Sequence, residues 1–345
     1  MLRLWNYGQD KTSIINKTQE LKIHHYSCDY FESYKDCIVL KRKQSVSPAQ
    51  MCLYNEEGKN IDISCLRRGV NRNKIVTKAP KNININTLNL KRVNKKCIYI
   101  GAFVKHWGHL LSESLARVWI FNLNKYKEYY FLHYGNPSKE AFFLLKYLGI
   151  NKPKLIEVSE NCIIDEVIIP YPSMTNRGEI FTTHAETLMK ISKNVMSDLS
   201  TSFSEVSRPL YLSRTRLHKS IRAIKGEKQI ENYLISRGAN VEYFENLCIE
   251  EQIYLINRHK VIISPFGSAL HNVLFSLNSK HILCLANNSI NVNQYMIDEI
   301  NKNYTTWLNC SKVDENSSKP GIRKDFIIKD VENTIQHINS FLANV

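Results

Sequence analysis

The chain lacks the cysteine pattern of an extracellular scaffold or of a zinc site. Its nine cysteines, at 28, 37, 52, 65, 97, 162, 248, 284 and 310, are odd in number, scattered and never in a CxxC pair. Spacing therefore indicates neither a disulfide framework nor a structural zinc motif, and a reducing cytosol is the expected location. No apolar run approaches 18 residues, so no membrane-spanning helix is expected. The opening residues, MLRLWNYGQDKTS, have no apolar core of the kind a secretory leader carries. The absence of a GxGxxG run argues against a dinucleotide-dependent oxidoreductase. No DxD, HxxxH or CxxC set occurs, so no metal and no other cofactor is expected. Acid is missing locally as well: Ile63–Ser112 contains no Asp or Glu, yet holds eleven Lys or Arg.

What is present is an ordinary globular composition. With 345 residues, 43% hydrophobic and 23% charged, the chain has material for two domains. The net charge of +15 is concentrated in the acid-free block, which suits nucleic acid, anionic lipid headgroups or phosphorylated substrates. A solvated lysine-rich loop would read the same way. Because the basic residues are not interleaved with stacking aromatics, an anionic membrane surface is the favoured partner and nucleic acid the weaker one.

Residues 1–90 show short apolar runs broken by Asn, Lys and Pro, and are expected to form an irregular, strand-containing N-terminal segment. From residue 91 the chain alternates strand-length apolar runs with helical periodicity. The pattern predicts strands at Cys97–Val104, Tyr129–Tyr134 and Ile163–Ile169, and helices at His109–Asn122, Lys139–Leu148 and His184–Leu199. After a linker at Ser204–Pro209 the alternation restarts, with strands at Leu210–Ser213, Asn240–Phe244, Val261–Ser264 and His281–Leu285. Helices are expected between them and at Val331–Leu342. The expected fold class is α/β, with domains at 91–205 and 206–345, each a parallel sheet with helices on both faces, and with the last helix free to return to the first domain.

Ligands of open parallel sheets bind beyond the carboxyl ends of the strands. Three polar groups of residues lie there. In VIISPFGSALHNVLF (261–275) a buried strand turns through Pro265 and Gly267 into Ser268 and Ala269. Such a turn aims helix N–H groups at one point and favours phosphate. An ordinary strand–turn–helix connection would look alike. Within the turn His271 and Asn272 carry short polar groups, although His271 would equally suit a buried hydrogen-bonding role. The second group is Arg214, at the end of its strand, followed by Lys219 and Arg222. A planar, permanently charged guanidinium suits a diphosphate, and it stabilises the charge that grows on the leaving oxygen. The third is His106-Trp107-Gly108-His109, after Cys97–Val104. His109, Glu113 and Arg117 are spaced i, i+4, i+8 along one helix face. His109 and Glu113 are both eligible as a general base towards an acceptor hydroxyl, while a Glu113–Arg117 surface ion pair is the plainer alternative.

Together HWGHLLSESLARVW (106–119), YLSR (211–214) with Arg222 and Glu227, and EEQIYLINRHKVIISPFGSALHNVLF (250–275) resemble glycosyltransferase family 61. The resemblance is closest to bacterial members of capsular-polysaccharide biosynthesis. It implies a GT-B-like architecture of two facing Rossmann-like domains and an inverting, metal-independent transfer. In that scheme the C-terminal domain holds a sugar nucleotide, a UDP-sugar in most members, and the N-terminal domain offers a saccharide or lipid-linked saccharide acceptor. Carried across, Arg214, Gly267, Ser268 and Asn272 would contact the donor, with Lys219, Arg222, Ala269 and His271 close by. His109 and Glu113 would belong to the catalytic cleft, near His106, Trp107 and Arg117. Where the family commonly has His-Gly-Ala-Gly, this chain has Phe266-Gly267-Ser268-Ala269, and a common Asn-Glu pair is Gly226-Glu227. The expected enzyme is cytoplasmic, peripheral on the inner membrane face. The alternatives are a sugar-nucleotide-binding homologue without turnover, with Phe266 as the visible cause, and a nucleic-acid-binding protein using the 63–112 block.

Overall fold

The computed structural model describes residues 3–5, 11–42, 50–69, 75–76, 78–199, 205–218, 222–319 and 324–345. The chain is a mixed α/β protein that divides into two compact units, one of Met1–Gln19 with Ser192–Val345 and one of Glu20–Ile191. This division differs from the boundaries expected at 90 and 205. Before residue 91, the described strand Arg3–Trp5 pairs within the 192–345 unit, and Phe31–Val39 with Leu53–Tyr54 extends the main sheet of the 20–191 unit.

In the 192–345 unit a six-stranded sheet runs in the order Arg3–Trp5, Tyr304–Asn309, His281–Ala286, Val261–Pro265, Leu210–Leu212, Asn240–Glu242. Every pair is parallel. Parallel strands covered on both faces need apolar side chains on both, which is why Val261–Pro265 is buried at all five positions. The helix Val331–Leu342 stays with this unit, packing Ile338 and Phe341 into the same core as Tyr211, Ile263 and Leu283. Strand order reverses between Leu210–Leu212 and Val261–Pro265, because the chain places one later strand outside the first and the rest on its other side. That makes the gap between these two strand ends the topological switch point of the sheet. A small sheet of Ile224–Lys225, Phe326–Ile328 and Ser311–Val313 completes the unit.

In the 20–191 unit the six strands run Leu53–Tyr54, Phe31–Val39, Cys162–Pro170, Lys91–Ala102, Tyr130–Tyr134, Leu155–Glu157. The last four are mutually parallel, but Phe31–Val39 lies antiparallel to both its neighbours. The sheet is therefore mixed rather than wholly parallel, and its antiparallel edge comes from the part of the chain expected to be irregular. The predicted helix His109–Asn122 is also different. It is one short α-turn, a π-helical segment Leu110–Ser114 and a 3-10 segment Val118–Asn122. Ser112 Oγ competes for its backbone by donating to Gly108 O (2.7 Å), while Ser114 Oγ ties the segment to the preceding strand end through Ala102 O (2.9 Å) and Val104 N (3.0 Å). Among the described residues no helix is long and apolar enough to cross a membrane.

Candidate functional site

At the switch point, Arg214 follows the strand Leu210–Leu212 and Gly267 follows Val261–Pro265. The two touch. A Cβ added at Gly267 would lie 2.4 Å from the Arg214 guanidinium nitrogen Nη1, so any side chain there would have to shift the cation from its place. The backbone of Gly267 is extended, and it is closeness that requires the missing side chain. Arg214 Nη1 donates to Phe266 O (3.4 Å) and Nη2 to Arg222 O (3.1 Å), while its buried Nε has no partner among the described residues. No carboxylate lies within ion-pair distance of this guanidinium among the described residues. Burial, opposed in part by Glu227, lowers its affinity for its proton.

The loop Ser213–Thr215 is held from beneath by two buried glutamates. Glu227 Oε1 accepts from Arg214 N (2.7 Å) and from the Tyr211 hydroxyl (3.2 Å). Burial pushes its carboxyl up to about 6. Burial would raise Glu231 as well, but hydrogen bonds from Lys228, Ser213, Thr215 and Tyr243 together hold it down to about 2. Sequence reading had given these carboxylates no site role, since their function depends on a loop thirteen to eighteen residues earlier.

Phe266, Gly267, Ser268 and Ala269 are half-buried and open the turn to solvent. The Phe266 ring meets Phe326 edge to face at 5.2 Å, and the Arg222 guanidinium lies 4.8 Å from the Phe326 ring, so an aromatic wall stands beside the turn. Lys219 lies outside the described residues. His271 and Asn272 are buried, which for His271 agrees with the hydrogen-bonding alternative. His271 Nδ1 pairs with Gln294 Oε1 (2.8 Å) and Asn272 Nδ2 donates to Gln252 Oε1 (3.0 Å), anchoring the turn's helix to the interior.

That anchor continues to a titratable group. Gln294 Nε2 (2.8 Å) and Asn303 Nδ2 (3.1 Å) both donate to Oδ1 of the buried Asp298, and burial raises its carboxyl to about 7. A carboxyl that binds its proton more tightly folded than unfolded stabilises the fold fully below about 4, the unfolded value, and that contribution is lost as pH rises through about 7. The Asp298→Asn variant should therefore gain melting temperature relative to wild type as pH is raised from 5 to 8. A constant offset across that range in paired melting curves would contradict the assignment.

In the 20–191 unit, Glu113 sits in the π-helical segment, a geometry that recurs at functional sites. Its carboxylate takes Arg68 as a bidentate partner, Nε at 2.5 Å and Nη2 at 2.6 Å, and accepts from His109 Nδ1 at 3.0 Å. Burial alone would raise the Glu113 carboxyl, but His109 and Arg68 outweigh it and the net direction is down. The Asn176 carboxamide nitrogen lies 3.3 Å from the same imidazole nitrogen. The His106 ring lies 5.2 Å from that of His109, and its partial burial, followed by the neighbouring imidazole, lowers its proton affinity. Trp107 is half-buried beside it.

Arg117 does not belong to this face, nor does it pair with Glu113. It is 6% exposed and donates to the carbonyls of Pro170, Ile63 (2.8 Å) and Cys65 (3.4 Å). With no regular helix beyond Ser114, the i+8 spacing from His109 no longer brings it round. Arg68, 45 residues before Glu113, is the partner that local spacing had no means to reveal. The basic block is in part neutralised: Arg68, Lys91, Arg92 and Lys96 all form ion pairs. Among the described residues no group of three or more His, Cys, Asp or Glu comes together as a metal site would require.

Comparison with curated proteins gives no match. The family model described as Glycosyltransferase 61 matches residues 107–283, just over half of the chain, and this span holds His109, Glu113, Arg214 and Gly267. The chain belongs to glycosyltransferase family 61.

Proposed function

We propose that this glycosyltransferase moves a sugar from a nucleoside-diphosphate donor, a UDP-sugar in the first instance, to a hydroxyl of a growing surface or capsular saccharide. The displacement is inverting and uses no metal. The observation that carries this reading is the Arg214 guanidinium seated against Gly267 at the switch point of a parallel sheet. There it is free of carboxylates among the described residues and retains a buried N–H donor without a partner. In this reading Arg214 and the turn Gly267–Ala269 bind the diphosphate, and the cation stabilises the charge that develops on the departing oxygen. Arg222 and the aromatic pair Phe266–Phe326 line the same approach.

His109 is the general base of this proposal and Glu113 its positioning residue. Glu113 is engaged by Arg68 through both oxygens, which leaves it poorly disposed to take a proton. When His109 Nδ1–H donates to Glu113, the tautomer leaves Nε2 as the acceptor for a hydroxyl proton. The GT-B-like arrangement, the cytoplasmic location and attachment to an anionic membrane face belong to the same proposal.

The test is nucleotide release from a panel of UDP-, GDP- and CMP-sugars, with and without oligosaccharide acceptors, with the product anomer read by NMR. We expect acceptor-dependent release of UDP, an inverted anomer and a rate unchanged by EDTA. The absence of both nucleotide release and a thermal shift with every nucleotide would overturn the proposal. Phe266, in place of the family's common histidine, favours a second reading in which the protein binds a sugar nucleotide without turnover. A thermal shift with UDP and no release would select it.

A further inference from the structure

Beneath the π-helical segment, wholly within the 20–191 unit, lies a cavity of about 50 Å³. One water needs roughly 10–15 Å³ by this measure, so there is room for a group of several heavy atoms. Arg67, Arg117, Glu113, Tyr99, Cys65 and Thr175 are among its lining residues. The charge in this lining is unbalanced. Glu113 is its one carboxylate and is engaged by Arg68 and His109. Arg117 and Arg67 have no carboxylate within ion-pair distance among the described residues, and Arg117 is occupied by backbone carbonyls. Arg67 donates through Nη2 to Asp62 O at 3.4 Å and has the Tyr171 ring 5.6 Å from Cζ. Its buried Nε has no partner among the described residues.

A buried N–H without an acceptor is unfavourable, and two guanidinium groups lining one small cavity repel each other. Arg117 registers this: burial first, and the neighbouring charge of Arg67 among the lesser causes, bring its proton affinity down to about 10. An oxyanion in the cavity would relieve both conditions. It would accept from Arg67 Nε and screen the two cations, and the planar fork of a guanidinium matches a carboxylate or phosphate.

We infer that this cavity is an oxyanion subsite for the acceptor, with Arg67 as the contact residue. It binds the carboxylate of an acidic sugar or a phosphate group of the acceptor. Glu113 is shared between the cavity wall and His109, so a charge held here fixes the acceptor beside the base. Arg67, the contact residue, precedes the span matched by the family, whereas Glu113, Arg117 and Thr175 of the same lining lie within it. The inference rests on the transferase reading only for the role of the bound anion as acceptor.

The test uses the full chain and three probes, sodium glucuronate, glucose and inorganic phosphate, by calorimetric titration. Glucuronate or phosphate should bind at least tenfold more tightly than glucose, and Arg67→Gln should abolish that preference. The probe that wins identifies the source of the anion. Glucuronate and phosphate binding no better than glucose, or binding equally to Arg67→Gln, overturns the subsite. Protection of Arg67 from phenylglyoxal in the wild-type protein, read by mass spectrometry, is expected with the winning anion, and its absence counts against the subsite even if the variant fails to fold. Anion binding by a protein that neither binds nor cleaves any nucleotide sugar of the panel would sink the transferase reading and leave the subsite standing.

Discussion

The Arg214→Ala variant is expected to lower kcat/KM for the donor about 100-fold, equivalent to a loss of about 3 kcal/mol in transition-state stabilisation. The reasoning begins with where the cation sits. Its Nη1 and Nη2 are fixed by two backbone carbonyls and a glycine presses against it, so it is oriented before any ligand arrives. A preoriented charge needs little reorganisation when the leaving diphosphate gains negative charge, and this is what makes it worth more in the transition state than in the ground state. Arg214→Lys should not restore activity, because an ammonium cannot span both carbonyls and still present a donor. Gly267→Ala tests the same contact from the other side. Its methyl would arrive 2.4 Å from Nη1 and must displace the guanidinium, so activity should fall with Arg214 still present. Steady-state nucleotide release at varied donor concentration, with UDP titration by calorimetry, measures all three. Full activity in both Arg214→Ala and Gly267→Ala would remove the diphosphate from this crevice.

The second large effect is expected at His109. Its replacement by alanine should reduce kcat by about 100-fold or more, the usual contribution of a general base, while UDP affinity stays at the wild-type value. Glu113→Gln should lower kcat by less, because the imidazole remains but the tautomer is no longer held. The double variant should be scarcely worse than His109→Ala alone, since the two side chains act as one unit. Additive losses would mean that Glu113 acts on the substrate independently. A drop in UDP affinity in His109→Ala would move the residue from chemistry to donor binding.

Much of the 192–345 unit was readable from its residues. Apolar runs such as Val261–Ser264 and His281–Leu285 are long enough for strands and too continuous for a sheet with a wet face, so the parallel arrangement followed. Arg214 and Gly267 were visible because strand ends are where a parallel sheet binds ligands. Gly226 illustrates a departure that the structure accounts for. Its φ of 88° is left-handed, a conformation that Gly and then Asn tolerate best, so an Asn could meet the same backbone demand in this chain.

The 20–191 unit was harder to read because its decisive contacts are distant in sequence. Nothing near Glu113 announces Arg68, and nothing near Arg117 announces the carbonyls of Ile63 and Pro170. Helical spacing suggested one continuous amphipathic face across 109–117, and it failed where Ser112 and Ser114 hydroxyls bond to backbone groups. Phe31–Val39 has only a partial apolar pattern, FESYKDCIV, because its first half is partly exposed and its last three residues are buried. The buried polar side chains at His271 and Asn272 show the opposite ambiguity. A polar residue in a turn reads as a ligand contact until its interior partner is known.

The pairing of Arg3–Trp5 with Thr306–Leu308 has a consequence for biosynthesis. Arg3–Trp5 cannot pair until Thr306–Leu308 has been made, and the loop that this pairing closes is long. The 20–191 unit has its strands in hand much earlier and is the natural first nucleus, whereas the parallel sheet carrying Arg214 and Gly267 is completed only once Tyr304–Asn309 has been made. A nascent chain whose residues through 191 have cleared the ribosome should already resist protease at the strands Phe31–Val39, Lys91–Ala102 and Cys162–Pro170, with Arg3–Trp5 still open to cleavage.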